Sequence, residues 1–234
     1  MTSDDDALLD LFGAIATRDR RAVTRTLDGS RDLATEAIRG GATRNGSDAY
    51  FLTPIRRTVY AGDTALHIAA AAYQREVAES LVALGADVCA RNRRGAEPIH
   101  YASDGRADVG HSSIQSDVIA YLLGEGADPN ARTKDDVAPL HRAVRTRSAD
   151  AVRALIEHGA DPKLKNKSGS TPLHLAVQTT GASHSGSDAA KEQQREIIQI
   201  LLASGAKPTD KDAKGKTVAA AATSDWIREL LGVT

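Results

Sequence analysis

The chain has 234 residues, 41% of them apolar and only 3% aromatic, with a formal charge of −1. So small a net charge argues against a dedicated binder of polyanions such as nucleic acid. One cysteine, Cys89, excludes an internal disulfide and points to a reducing compartment or indifference to redox.

The elements begin early. Leu11–Ile15 through Ala22-Val23 aligns without gaps on Leu140–Val144 through Ala151-Val152, which predicts two helices. The second runs near residues 20–27 and stops at Asp28-Gly29. Asp4, Asp5 and Asp6 stand ahead of the first helix, where its positive end favours them. This acidic start lacks the basic and apolar regions of a secretion signal, and no apolar run approaches the ~20 residues that span a bilayer. A cytoplasmic protein with no membrane association is the expectation.

A different composition follows over residues 35–60. Gly40-Gly41 and Asn45-Gly46 mark turns, and Tyr50, Phe51 and Tyr60 bring three aromatics into eleven residues. Residues 55–60 alternate weakly, as a strand or extended arm would. An apolar insert must be covered, so either it folds back over the first helix pair or it meets a partner.

Four similar helix starts come next: Gly62–Ala69, Gly95–Ala102, Val137–Ala143 and Gly169–Ala176. In the last, Thr171 is a good N-cap, Pro172 suits the first helical position, and Leu173, Ala176 and Val177 form an apolar stripe. Their histidines are His67, His100, His141 and His174, so two of the three intervals are 33 residues. Each start is trailed by an apolar run closed at Gly85, Gly126, Gly159 or Gly205. The distance from histidine to glycine is 18 residues for His67 and His141, but 26 and 31 for the other two. The surplus predicts loops between paired helices over residues 103–112 and 179–188, on the same edge of alternate units. A final start at Gly215–Ala222 puts Ala220 in the histidine position and closes quickly at Trp226–Gly232, with Trp226 expected to cover the core's end.

A helix–turn–helix unit with a glycine stop, repeated at 33 residues with this motif, resembles the ankyrin repeat. The resemblance covers nearly the whole chain and implies one domain over residues 1–234: an all-α ankyrin-repeat solenoid of about six units. These fall near residues 6–34, 61–93, 94–134, 135–167, 168–213 and 214–232, with 35–60 inserted after the first. The terminal units are capping repeats. The resemblance also implies a non-catalytic, monomeric protein-binding scaffold that uses its finger turns and concave helix face.

The fingers carry a charge bias. Arg91, Arg93 and Arg94 oppose one aspartate in the first, and Lys163, Lys165 and Lys167 oppose one in the third. The four fingers together are about +5, so an acidic protein surface is the expected partner. The candidate binding residues are these six together with Tyr50, Phe51, Arg56 and Arg57 in the insert. Nucleic acid is not expected, because aromatics are not interleaved with the finger charges.

No metal or cofactor is expected. Successive repeats hold the four in-register histidines roughly 10 Å apart, too far to share one ion. The resemblance makes them structural, bridging turn and helix by hydrogen bonds. Loop sets such as Asp108, His111 and Ser112, or Ser183, His184 and Asp188, lack a nucleophile-elbow pattern. The alternative function is a small-molecule or catalytic site beneath the 35–60 insert or between the two loops.

Overall fold

A computed structural model describes residues 3–43, 48–105, 113–178 and 187–233. The loop residues 106–112 and 179–186, with the Asp108, His111, Ser112, Ser183 and His184 sets, lie outside the described residues, as does Asn45-Gly46. The chain divides into two compact units, Met1–Ala102 with Ile114–Asp128, and Ser103–Ser113 with Pro129–Thr234.

The first unit holds α1 (Ser3–Ala16), α2 (Arg20–Gly29), α3 (Ala65–Ala71), α4 (Arg75–Ala83), α5 (Pro98–Ala102) and most of α6 (Ser113–Gly124). Helices α1, α3 and α5 lie side by side in one row, with α2 against α1 and α4 against α3. Helices of five to fourteen residues are marginal in isolation, so the row is held by the apolar faces it buries. Leu8, Leu11, Phe12, Ile15, Leu66, Ile68, Leu81 and Ile99 are all buried there. Each such side chain contributes about 1.5–3 kcal/mol over its exposed state.

The second unit repeats the scheme with α7 (Pro139–Arg145), α8 (Ala149–Glu157), α9 (Pro172–Ala176), α10 (Asp188–Ala203), α11 (Val218–Ala221) and α12 (Asp225–Leu230). Here α7, α9 and α11 form the row, and α8 and α10 back it. Ser187 caps α10 by accepting from Ala190 N at 3.2 Å, and Thr217 caps α11 by accepting from Ala220 N at 3.1 Å. At the end of the chain, Val218 and Ile227 fill the core. Trp226 is half-buried and carries the Arg195 guanidinium over its ring. The glycine stops behave as their positions require. Gly85, Gly126, Gly159 and Gly205 all have φ near +90°, which L side chains rarely adopt.

The insert folds back over the first unit. Ala37 pairs with Thr64 in an antiparallel bridge, Ile38 N donates to Asp63 O at 2.9 Å, and Ala42 N donates to Val59 O at 3.0 Å. A short hairpin pairs β1 (Phe51–Leu52) with β2 (Arg57–Thr58). Ile38, Ala42, Ile55 and Val59 fill the space beneath this segment. Asp5 lies in the first turn of α1, not ahead of the helix, and its carboxylate accepts from Arg39 N at 2.9 Å and Gly40 N at 3.0 Å. Gly41 must be glycine, because a β-carbon there would run into the Tyr60–Ala61 backbone.

Candidate partner-binding surfaces

The four histidines are built alike. The backbone N–H of Thr64, Glu97, Ala138 and Thr171 donates to Nδ1 of His67, His100, His141 and His174 at 3.1–3.3 Å. An accepting Nδ1 leaves the neutral ring's proton on Nε2. That nitrogen then donates across the stack: His67 to Ala96 O at 3.1 Å, His141 to Ser170 O at 3.2 Å, and His174 to Lys216 O at 3.2 Å. These three rings join the start of one repeat to the finger of the next. Burial holds the His141 imidazole below its ordinary pKa, which keeps it in this neutral form. Among the described residues, no three His, Cys, Asp or Glu side chains stand where they could hold a metal.

Behind His67 lies a buried polar cluster that the repeat pattern did not disclose. Asp63, fully buried, accepts from Tyr60 N at 2.7 Å, Asn92 Nδ2 at 2.8 Å and Tyr101 Oη at 2.9 Å. Tyr101 also meets the His67 ring edge-on, with centroids 5.1 Å apart. The signal lay in Tyr101, which stands where Ile68, Arg142 and Leu175 stand in the other starts.

The expected binding residues of the first unit divide into two sets. Phe51 is 44% exposed on the hairpin and Arg56 is exposed at its turn, in the left-handed conformation. Tyr50 is half-buried, with its hydroxyl against Gly40. The remaining cations are engaged within the molecule. Arg57 lies over the Tyr101 ring. Arg93 and Arg94 flank the Tyr60 ring at 5.3 and 5.0 Å, and Arg94 Nη1 also donates to Tyr60 Oη at 3.0 Å. Arg93 Nη2 donates to Ala42 O, and its backbone N–H donates to Ala61 O. Two of the three finger arginines therefore tie insert to finger, which the charge count alone did not show.

Arg91 is half-exposed and stands 3.6 Å from Glu97. Glu97 holds the N-cap position that Thr64 and Thr171 hold elsewhere, and its Oε2 is buried without a hydrogen-bond partner among the described residues. Burial pushes its carboxyl up to about 7; Arg91 opposes the shift, while Asp128 and Asp87 add to it. Cys89, exposed near the same carboxylates, has its thiol pushed up by partial burial and then by Glu97, Asp87 and Asp128. Such a thiol is a poor nucleophile.

In the second unit, Lys163, Lys165 and Lys167 are all exposed on one finger. Its backbone is fixed: Lys167 N donates to Asp135 O at 3.0 Å, Asn166 N to Ser170 O at 3.0 Å, and Ala213 N to Ser168 O at 3.4 Å. Lys167 is paired with Asp135 at 3.6 Å, while Lys163 and Lys165 make no ion pair among the described residues. Asn130 Nδ2 donates to Gly159 O, and its Oδ1 accepts from Asp161 N, bracing the finger's base.

Models of ankyrin repeats match the chain over residues 61–93, 111–185 and 168–213, more than half of its length. The chain is an ankyrin-repeat protein. The match stops short of the N-terminal helix pair, the insert and the last short pair, so the family likeness is narrower than the self-similarity suggested. No curated protein matches the chain. Ankyrin repeats are generally protein-interaction modules, and the histidine bridges and finger-to-finger bonds give this chain the rigid turns such a role needs. Among the described residues, no helix is long and apolar enough to cross a membrane.

Both helix-pair loops leave from anchored ends. Gln115 Nε2 donates to Ala102 O at 2.8 Å, and Gln194 Nε2 donates to Ala176 O and to Gln178 O at 3.1 Å. Each glutamine satisfies carbonyls that a five-residue helix leaves open at its C-terminus. Gly105 N donates to Thr146 Oγ1, and Asp104 is clamped by Arg142 at 2.7 Å and Arg145 at 3.3 Å.

Proposed function

We propose that this ankyrin-repeat chain is a non-catalytic scaffold, monomeric and cytoplasmic, that binds an acidic protein surface through its finger turns and concave helix face. The reading rests on one observation above the others: Lys163 and Lys165 are exposed cations without counter-ions among the described residues, on a backbone already ordered by its neighbours. A cation presented on a fixed turn loses little further entropy on pairing, so its charge serves recognition and rapid encounter. Arg91, Arg56 and Phe51 offer a second contact in the first unit, with Tyr50 and Arg57 behind them. Arg93 and Arg94 act in this account by positioning Tyr60 and the insert. The lone Cys89, which can form no internal disulfide, supports the cytoplasmic part of this reading.

The test is affinity capture from native lysate with the wild type and a Lys163→Glu/Lys165→Glu/Lys167→Glu variant of unchanged melting temperature. A protein retained by the wild type at low salt and lost by the variant is the expected result. Undiminished capture by the variant removes this finger from the binding account.

A further inference from the structure

The last two fingers of the second unit, residues 161–169 and 207–216, hold seven lysines against three aspartates and no aromatic residue. The aspartates are turned back on their own backbone. Asp161 Oδ1 accepts from Lys163 N at 2.8 Å, and Asp210 Oδ2 accepts from Lys207 N at 2.8 Å. Asp212 Oδ1 accepts from Lys214 N at 2.8 Å and from Lys216 N at 2.9 Å. Lys167 pairs with Asp135 on the preceding finger. The other six lysines are exposed and make no ion pair among the described residues.

The two fingers touch. Ala213 N donates to Ser168 O at 3.4 Å, and a β-carbon at Gly169 would stand 2.2 Å from Ala213 N. His174 Nε2 fixes the root of the last finger by donating to Lys216 O at 3.2 Å, and Lys211 pairs with Thr217 in an antiparallel bridge. Lys163 reaches toward the same root: a β-carbon at Gly205, two residues before Lys207, would lie 3.8 Å from its Nζ. Like charges gathered on ordered turns repel one another, a strain on the free chain that an anionic partner relieves.

Lysine is a compact point charge on a flexible stem and lacks the fork with which arginine grips a single carboxylate. These fingers also offer none of the aromatic or arginine anchors that dominate folded interfaces. Such a face reads accumulated charge more than shape. A run of acidic residues repels itself into an extended chain, which advances about 3.3 Å per residue. Eight residues then cover about 26 Å, more than the ~10 Å between neighbouring repeats, so one segment reaches both fingers. Single-stranded nucleic acid would want aromatic platforms for its bases, and these fingers have none.

We infer that the two lysine fingers form one continuous site, which takes an extended run of aspartate and glutamate in a polypeptide partner. The inference rests on the scaffold reading for the partner's being a protein, and it extends the contact to Lys207, Lys211, Lys214 and Lys216.

The experiment titrates N-acetylated octaglutamate amide into the isotope-labelled full chain at pH 7.5 and ~50 mM ionic strength, following backbone amide resonances. Octaglutamine is the neutral control. Saturable shifts centred on residues 161–169 and 207–216 are expected, with a dissociation constant on the order of 0.1 mM that weakens several-fold when salt is raised. Lys211→Glu/Lys214→Glu/Lys216→Glu and Lys163→Glu/Lys165→Glu/Lys167→Glu should each weaken binding at least ~tenfold. Arg20→Glu/Arg21→Glu/Arg25→Glu, an equal change of net charge on exposed residues of α2, should weaken it less than ~threefold. Should a glutamate triple melt early, the matching glutamine triple replaces it, with a loss of at least ~threefold expected. Loss confined to the Lys163/Lys165/Lys167 variant overturns the two-finger site and leaves the scaffold reading in place. Equal loss in the α2 variant, or shifts matched by octaglutamine, overturns it too. So does the lack of a saturable shift up to ~10 mM, even where lysate capture depends on the first of the two fingers. An eight-residue oligothymidylate that binds ~tenfold more tightly overturns the assignment to a polypeptide. Octaglutamate binding beside undiminished lysate capture removes the scaffold reading alone.

Discussion

Tyr101 Oη donates to Asp63 at 2.9 Å, and the same oxygen accepts from Asn92 Nδ2 at 3.0 Å. One phenol thus closes a triangle whose other side is the 2.8 Å bond from Asn92 to Asp63. All three side chains are buried, so each bond lost leaves a polar atom that water cannot reach. Tyr101→Phe is expected to cost about 1–3 kcal/mol in urea denaturation, and Asp63→Ala more, because it orphans three donors. A Tyr101→Phe protein as stable as the wild type would show that the triangle is not a structural tie.

Glu97 makes stability fall as pH rises. Its folded-state carboxyl titrates near 7, above the ordinary value of 4.5, so the folded state holds the proton more tightly. The contribution is fully present below about 4.5 and is lost as pH rises to about 7. Glu97→Gln is expected to flatten that part of the stability–pH curve and to raise stability at pH 8 by about 1–3 kcal/mol. Urea midpoints at pH 5 and pH 8 for both proteins check it.

His141 carries the opposite sign. Its folded-state pKa is depressed, so its contribution is present above 6.5 and is lost as pH falls through the lowered value. Protonation would also put a hydrogen on Nδ1, which accepts from Ala138 N at 3.2 Å. In the Glu97→Gln background, acid should therefore destabilise the protein, and His141→Gln should remove part of that slope.

Cys89 should alkylate slowly despite its exposure. Partial burial and the charges of Glu97, Asp87 and Asp128 all favour its protonated form. Its iodoacetamide rate at pH 8 is expected to lie several-fold below that of free cysteine, and Asp87→Asn or Asp128→Asn should raise it. A rate at or above the free thiol's would contradict the electrostatics.

Much of the architecture was legible because it is local and repeated. The Thr171 start, the glycine stops and the histidine spacing each express backbone requirements that one short stretch satisfies by itself. Their recurrence identified the family. The surplus of residues between paired helices was equally countable, and so was the insert at 35–60. The roles of the charged side chains were not legible, because a charge has no meaning until its neighbours are known. Arg93 and Arg94 read as solvent-facing finger cations, yet the folded insert brings Tyr60 between them. Arg18 meets the Ala72 carbonyl 54 residues away, a contact that no local pattern announces. The chain's own text therefore determined the helices, their period and where they stop. Which cations are engaged within the fold and which stay exposed was decided by long-range packing, where desolvation and hydrogen-bond competition act between residues far apart in sequence.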